Sequence, residues 1–140
     1  MKKNYKVLFQ GKSVTIIQHG SPAFIEMIFD GYCSSREYRQ ACDFVLRIDK
    51  KLNPASQWFI DQRHMHAQPD DLEWTTGAWA KKASKYFKGS SRFALVPAVN
   101  FVANHHMQTF VRESRQKCPA LQVKVVEELE EAEEWFQSRG

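Results

Sequence analysis

Two short apolar runs rich in β-branched residues open the chain and predict a β-hairpin. They are Tyr5 to Gln10 and Ser13 to Gln18, with a Gly-Lys pair between them, and a glycine in so short a connection is typical of a turn between antiparallel strands. A third apolar run, Ala23 to Phe29, follows a Ser-Pro pair and stops at Asp30-Gly31. It predicts a third antiparallel strand, with a short helix as the alternative.

After residue 33 the hydrophobic period lengthens from that of a strand to that of a helix. Ser34 and Glu37 have capping-box spacing, which predicts that a helix begins there. Asn53-Pro54 is expected to end it. The apolar positions recur three and four apart, so one face of this helix is predicted to be buried; they are Tyr38, Ala41, Cys42, Val45, Ile48 and Leu52.

Apolar runs and helical patterns then alternate to the end of the chain. Trp58 to Ile60 and Phe93 to Val96 are unbroken apolar runs, which predicts central parallel strands covered on both faces. Pro69 followed by two aspartates predicts a helix start. The inner positions of that helix are Leu72, Trp79, Ala83 and Tyr86, and Gly89 is placed to cap its end.

The last three predicted elements are a helix over Val102 to Lys117, a strand over Leu121 to Val126 and a terminal helix with Leu129, Ala132, Trp135 and Phe136 inside. Together the elements predict an α/β fold: a mixed, largely parallel sheet with N-terminal antiparallel strands and about four helices. A chain of 140 residues, 43% hydrophobic, is enough for one domain over residues 1–140 that needs neither disulfides nor a metal to stay folded.

The formal net charge of +4 is distributed unevenly. Residues 127–140 hold six glutamates and one arginine, a net charge of −5, so the preceding 126 residues sum to +9. Lys81, Lys85 and Lys88 form a stripe on one predicted helix. Such runs usually face water, and no aromatic residue is interleaved with the stripe, so we expect solvated faces rather than a nucleic-acid-binding surface.

Three cysteines without CxxC spacing indicate neither a disulfide framework nor a zinc ribbon. No apolar run approaches the roughly 18 residues of a membrane span, and the first residues lack the pattern of a signal peptide. We therefore expect a cytoplasmic protein with no membrane partner.

The order of elements resembles the STAS and anti-anti-sigma-factor-like (SpoIIAA-like) domains, in particular their small stand-alone bacterial members. The segments that carry the resemblance are Trp58 to Arg63, Pro69 to Trp74, Arg92 to Val96 and Glu130 to Phe136. The resemblance implies a non-enzymatic module that binds a partner.

Regulatory members of that group carry Asp-Ser-Ser/Thr-Gly after the third core strand, where the serine is phosphorylated. This chain has Asp61-Gln62-Arg63-His64 at that position. It therefore lacks the serine, and regulation by its phosphorylation is not expected here. Asp70 and Asp71 lie near that helix start and are interpreted either as permanent charges that replace the phosphate or, as we favour, as residues that only stabilise the helix.

Polar residues follow the predicted central strands, and ligands of open α/β sheets lie at such strand ends. The candidate binding residues are Asp61, Arg63, His64, His66, Asp70, Asn100 and His105. His64 and His66 would point to one side of an extended segment, as two metal ligands could. No HExxH or other metal-site spacing is present, so exposed histidines, with no metal and no cofactor, are favoured. Arg63 is interpreted as an anion pocket or, preferably, as the ion-pair partner of Asp61.

The sequence thus predicts a non-enzymatic STAS-like binding or regulatory module for an unknown protein partner or small ligand. Trp74 is a candidate anchor for a partner or for a second copy of the chain, which makes a homodimer possible. A histidine-dependent metal-binding protein or hydrolase is the alternative, and a nucleic-acid binder is the second alternative. No catalytic residue is predicted, because neither a nucleophile elbow nor a phosphate-binding glycine loop is present.

Overall fold

A computed structural model describes residues 5–20, 23–52, 57–86, 91–99, 101–117 and 121–138. The described strands are β1 (Tyr5–Gln10), β2 (Val14–Gly20), β3 (Ala23–Tyr32), β4 (Gln57–His66), β5 (Ser91–Val96) and β6 (Leu121–Val125). The described helices are α1 (Ser35–Leu52), α2 (Pro69–Trp74), α3 (Ala80–Tyr86), α4 (Phe101–Lys117) and α5 (Leu129–Gln137), and a π-helical turn, Thr75–Trp79, joins α2 to α3.

The six strands form one sheet in the order β1-β2-β3-β4-β5-β6. The β1–β2 and β2–β3 pairs are antiparallel and the three following pairs are parallel. Each parallel connection is a helical crossover that advances by one strand, and right-handed crossovers in one direction place their helices on one face of the sheet. The fold is therefore α/β with a mixed sheet, as the sequence predicts.

The two faces of the sheet carry separate cores. One core lies between the sheet and α1 to α4, and it includes Ile16, Met27, Trp58 and Phe93. The other lies between the sheet and α5, and its buried members are Phe24, Phe59, Ala94, Val96, Val126, Ala132 and Phe136. β4 and β5 have a parallel neighbour on each side, so the prediction that they are central parallel strands is confirmed.

The end of β4 differs from the prediction. The apolar run predicts a strand that ends at Ile60, but the strand continues to His66. Beyond a bulge between Ile28 and Asp30, β3 pairs with this extension, with His66 opposite Tyr32. Met65 is buried within the otherwise polar run. The hydrogen bonds to β3 and the one buried methionine hold this segment in the sheet, and a local hydrophobic pattern does not show either of them.

β3 also differs from the prediction at its end. The sequence places the end at Asp30-Gly31, whereas the strand continues to Tyr32. Gly31 has φ of 90°, a conformation that only glycine adopts without strain. The glycine therefore lets the strand bend and continue instead of ending it, and the alternative of a short helix here is wrong.

The start of α1 confirms half of the predicted capping box. The Glu37 amide donates to the Ser34 hydroxyl at 3.2 Å. The Glu37 carboxylate turns away from the helix and accepts hydrogen bonds from the amides of Ser13 and Val14, at 2.7 and 3.0 Å, and from the Ser13 hydroxyl at 3.0 Å. Glu37 therefore fastens the hairpin to α1.

Some predicted features lie outside the described residues. These are the helix end at Asn53-Pro54, the cap at Gly89 and the side chains of Ile48, Leu52 and Tyr86. Within the described ranges, no helix is long and apolar enough to cross a membrane.

Candidate functional site

Asp61 and Arg63 bind each other on β4. The Arg63 Nε and Nη2 atoms donate to Asp61 Oδ1 and Oδ2 at 3.1 and 2.8 Å, and the Arg63 amide also donates to Oδ1, at 3.1 Å. Burial by itself would raise the pKa of the Asp61 carboxyl, but the hydrogen bonds and charge of Arg63 outweigh it and hold this pKa below its ordinary value. The same hydrogen bonds raise the pKa of Arg63. The Arg63 guanidinium is thus already paired with the Asp61 carboxylate.

His64 and His66 both lie on the outer half of β4 and are exposed, with the buried Met65 between them. Their alternation with Met65 confirms that they point to the same side of the strand. Among the described residues no three His, Cys, Asp or Glu side chains lie close enough to hold a metal ion.

Asp70 and Asp71 have different surroundings although they are adjacent in the first turn of α2. Asp70 is exposed, whereas Asp71 is wholly buried. The Asp71 carboxylate accepts from the Ser35 hydroxyl at 2.7 Å and from Arg39 Nε at 2.9 Å. The hypothesis that both aspartates present a permanent charge is therefore wrong for Asp71, and within this pair only Asp70 reaches solvent.

Trp74 lies near this buried contact. It is half-buried and packs against the larger core, and the Arg39 guanidinium lies 5.0 Å from the centre of its ring. The ring is therefore already partly covered by this chain.

Asn100 lies outside the described residues. His105 and His106 are in α4 and meet edge to face, with ring centres 6.0 Å apart. His105 is exposed, whereas His106 is half-buried because it lines a cavity under the helices. His106, the neighbour of the candidate His105, is therefore the residue that leads to this cavity.

This cavity lies between the sheet and the helices and encloses about 60 Å³. That volume is below the range of roughly 300–1,000 Å³ found for sites of drug-sized ligands, but it exceeds the roughly 30 Å³ of one water molecule. Three neighbouring strands contribute alternate residues to its floor, and α1, the π-helical turn and α4 form its walls. The floor residues are Met27, Phe29, Ile60, Gln62, Phe93 and Leu95.

The cavity has an apolar interior. Tyr38, Cys42 and Val45 from α1, Leu72 and Trp79 from the helix start and the π turn, and Met107 from α4 are all buried there. Five other lining residues are partly exposed and mark the mouth; they are Gln62, Thr75, Thr76, His106 and Phe110.

The hydroxyl groups at the cavity are linked in a chain. The Tyr38 and Thr75 oxygens lie 2.6 Å apart, and Thr75 Oγ1 donates to the Asp71 carbonyl at 3.0 Å. Both hydrogens are bonded only if Tyr38 donates to Thr75 and Thr75 donates to Asp71, which is the arrangement expected for buried hydroxyls. The Thr76 hydroxyl likewise donates to the Glu73 carbonyl at 3.1 Å.

Burial acts on the two titratable groups inside the cavity. It raises the pKa of the Cys42 thiol to about 12 and raises the pKa of the Tyr38 hydroxyl well above its ordinary value. Both groups are therefore neutral at physiological pH, and Cys42 has almost none of the thiolate that makes a cysteine reactive.

Gln62 and His106 differ from the other polar residues of the cavity. Neither side chain has a hydrogen bond to another residue in the described part of the chain. They come from β4 and α4, which the fold brings together across the mouth. They are therefore the polar groups that a bound molecule would meet first.

The sequence carried only weak signals for this cavity. Thr75, Thr76 and Gly77 are poor helix formers in the middle of a predicted helix, and they mark the π-helical turn, a feature that often occurs at functional sites. The sequence analysis selects His105 of α4, but no sequence signal shows that its neighbour His106 faces the cavity. Gln62 carried no signal, because it lies beyond the predicted end of its strand.

The chain was compared with known proteins. No protein-family model matches it, and no curated protein matches it either.

Proposed function

We propose that this protein is a non-enzymatic binding module that holds a small, mostly apolar ligand in the cavity between the sheet and the helices. The observation that carries the proposal is a buried apolar interior with two polar side chains at its open mouth, Gln62 and His106, which have no hydrogen bond to another described residue. A void lowers stability because the atoms that line it lose packing partners. A bound ligand restores those contacts.

The chemistry of the lining supports binding rather than catalysis. Tyr38 and Cys42, the titratable groups of the interior, are neutral, and the chain of hydroxyls ends on a backbone carbonyl and not on a base. Activation of a nucleophile needs an adjacent base or a lowered pKa. The cavity lining supplies a shape and a few hydrogen-bonding groups, which is what a binding site requires.

The resemblance to the STAS-like domains supports the same proposal. It implies a module that acts by binding, and the phosphorylated serine of the regulatory members has no counterpart in Asp61-Gln62-Arg63-His64. Gln62, which falls within that segment, lines the mouth of the cavity. In this proposal a ligand at the mouth takes the place of a covalent modification as the signal.

Methionine methyl groups provide a direct test. Met27 and Met107 line the cavity, whereas Met65 is equally buried but lies outside the lining. In protein carrying ¹³C-methyl methionine, a small apolar probe such as xenon is expected to shift the Met27 and Met107 signals and to leave Met65 in place. The proposal would be overturned if the probe moved neither signal, or moved Met65 as strongly as the other two.

A variant in which the cavity is filled provides a second test. Val45→Phe adds a ring to the interior, so it is expected to abolish the probe-dependent shifts while the Met65 signal keeps its native position. Leu46→Phe is the control, because Leu46 is the buried neighbour of Val45 but does not line this cavity. Shifts that survive Val45→Phe unchanged would place the probe elsewhere and refute the proposal.

A further inference from the structure

The sheet face that carries α5 is only partly covered in the described part of the chain. Its buried strand residues come from β3, β4 and β5. One row of cross-strand neighbours runs along this face from Val7 through Ile17 and Glu26 to the buried Phe59. Ile28 is the next residue after Glu26 on the same side of β3. Val7, Ile17 and Ile28 belong to neither core, and with the strands that carry them they form an uncovered apolar strip.

The apolar strip has the dimensions of one helix. Neighbouring strands lie about 4.8 Å apart, so β1 and β2 together provide a width of roughly 10 Å, which is close to the diameter of an α-helix. The seven residues of β2 extend over roughly 23 Å, the length of a helix of about 15 residues. Helices commonly cover both faces of an α/β sheet. A single helix beside α5 would therefore complete the layer on this face.

A row of rings closes one end of the apolar strip. The ring centres of Tyr5 and His19 lie 6.4 Å apart, those of His19 and Phe24 4.4 Å, and those of Phe24 and Phe136 5.3 Å. His19 Nε2 also lies 2.8 Å from Glu26 Oε1. The carboxylate on the floor of the strip is therefore already paired, and what the floor offers to a partner is apolar surface.

The orientation of α5 decides which of its glutamates lie beside the strip. Trp135 faces β5 and β6, because Arg92 and Lys124 lie 5.4 and 5.9 Å from the centre of its ring. Phe136 faces β3, where it meets Phe24. Glu133 is three residues before Phe136 and lies next to it on the side of the helix away from Trp135. The Glu133 carboxylate is thus on the flank of α5 that borders the strip.

The border of the apolar strip is acidic at a second place. Asp30 is exposed near the end of β3, and it alternates with Phe29 of the opposite core, so it points to the face that carries α5. Neither Asp30 nor Glu133 forms an ion pair with another described residue. Lys6 alternates with Val7 on β1 and therefore points to the other face. The strip thus combines an apolar floor with two carboxylates at its border.

We propose that the apolar strip binds a partner protein through one basic amphipathic helix. Its apolar side packs on Val7, Ile17 and Ile28, and its lysine or arginine side chains reach Asp30 and Glu133. An amphipathic helix in an apolar groove is a recurrent mode of recognition, and charges at the border of an interface select partners of opposite sign. A second copy of the chain fits less well, because a two-fold contact through the strip would bring two acidic borders together.

Two model peptides test the proposal on the full chain. Each has 14 residues with leucine on one helical face; one peptide has lysine at the remaining positions and the other has glutamate. In protein carrying ¹³C-methyl isoleucine, the lysine peptide should shift the Ile17 and Ile28 signals and leave those of Ile16 and Ile25, which are buried on the other face, in place. We expect the lysine peptide to bind about tenfold or more tightly than the glutamate peptide.

Two pairs of exposed residues supply matched variants. Val7 is 47% exposed on β1, and Val125 is 44% exposed on β6 at the far edge of the sheet. Val7→Thr should weaken the lysine peptide about threefold or more, because it removes apolar contact area, and Val125→Thr should not. Asp30→Asn should also weaken it, whereas Asp70→Asn, on exposed α2 surface, should leave its affinity unchanged.

Three outcomes would overturn the proposal. The lysine peptide could leave Ile17 and Ile28 unmoved, the glutamate peptide could bind as tightly as the lysine peptide, or Val125→Thr could weaken binding as much as Val7→Thr. Dilution of the free protein provides a fourth. If it moved the Ile17 and Ile28 signals while sedimentation showed a dimer dissociating, the strip would be an interface between two copies and not a site for a basic helix. The Met27 and Met107 signals are separate from these readouts, so the binding of a ligand in the cavity is tested independently.

Discussion

The described part of the chain contains two aspartate–arginine pairs that differ in sequence separation and in burial. In the first, wholly buried Asp71 of α2 accepts from Arg39 of α1 at 2.9 Å and from Ser35 at 2.7 Å. In the second, Asp61 and Arg63 are two residues apart on β4 and share two side-chain hydrogen bonds of 3.1 and 2.8 Å. The Arg63 side chain is 46% exposed.

The second pair has the better bidentate geometry, but the first has the greater structural role. Asp61 and Arg63 are close in any extended strand, so their contact adds little that β4 does not already fix, and water competes for the exposed arginine. Asp71 and Arg39 are 32 residues apart and belong to different helices. Their contact therefore exists only in the folded chain, and it satisfies a carboxylate that has no access to water.

The largest effect is expected from Arg39→Met. The methionine keeps an apolar stem near Trp74, but it leaves the buried Asp71 carboxylate without its cationic partner. Breaking a buried pair in this way costs about 3–5 kcal/mol of unfolding free energy, a large share of the roughly 5–15 kcal/mol of a typical domain. Urea unfolding followed by circular dichroism measures it.

Arg39→Lys is the control for this prediction. It retains a positive charge that can approach Asp71 but lacks the planar fork of arginine, so it should recover part of the lost stability. If Arg39→Met proved as stable as the natural protein, the buried pair would contribute no more to the free energy of unfolding than the exposed pair.

A smaller effect is expected from Asp71→Asn. The Arg39 that remains has a side chain 43% exposed and can return to water, so no charge is left buried and unpaired. Asparagine fills the same space and can bond both Arg39 and Ser35 as a neutral group, which limits the cost to about 1–2 kcal/mol. Arg39→Met, which removes the exposed partner, should therefore cost more stability than Asp71→Asn, which removes the buried one. The same urea series measures both. The reverse ranking would contradict it.

The two pairs also show how far the sequence could predict this structure. The helix that holds Arg39 and the helix start at Pro69 were predictable, because periodicity and capping are local signals. The burial of Asp71 was not, because acids in a first helical turn ordinarily face solvent and complement the dipole. Its partners, Ser35 and Arg39, belong to a distant helix whose packing angle no local pattern reports.

The cavity was beyond local prediction for the same reason. Met27, Gln62, Thr75 and His106 come from four separate segments, and a cavity is the space left where those segments fail to meet. On β4 the sequence selected Asp61 and Arg63, whose side chains point to the opposite face of the strand from that of Gln62. Gln62, between Asp61 and Arg63, is the residue that faces inward.

For the exposed pair, Arg63→Met should change stability by less than about 1 kcal/mol, as is typical of surface ion pairs. The remaining Asp61 carboxylate keeps the bond from the residue 63 amide. Unfolding midpoints of Arg63→Met and Arg39→Met, measured side by side, compare the two pairs directly. A loss for Arg63→Met as large as that for Arg39→Met would show that β4 depends on this pair after all.

The smallest expected effect is a pH dependence carried by Asp61. The pKa of Asp61 is lower in the folded chain than its ordinary value, so the unfolded chain takes up the proton first as the solution is acidified. The stabilisation is therefore complete above the unfolded pKa, about 3.9, and it is lost as the pH falls through the lower folded value. Asp61→Asn removes this contribution, so the difference in unfolding free energy between the natural protein and the variant should shrink between about pH 5 and the acid limit. A difference that stays constant over that range would mean that Asp61 draws no stability from Arg63, and a difference that grows on acidification would reverse the sign of the pKa shift.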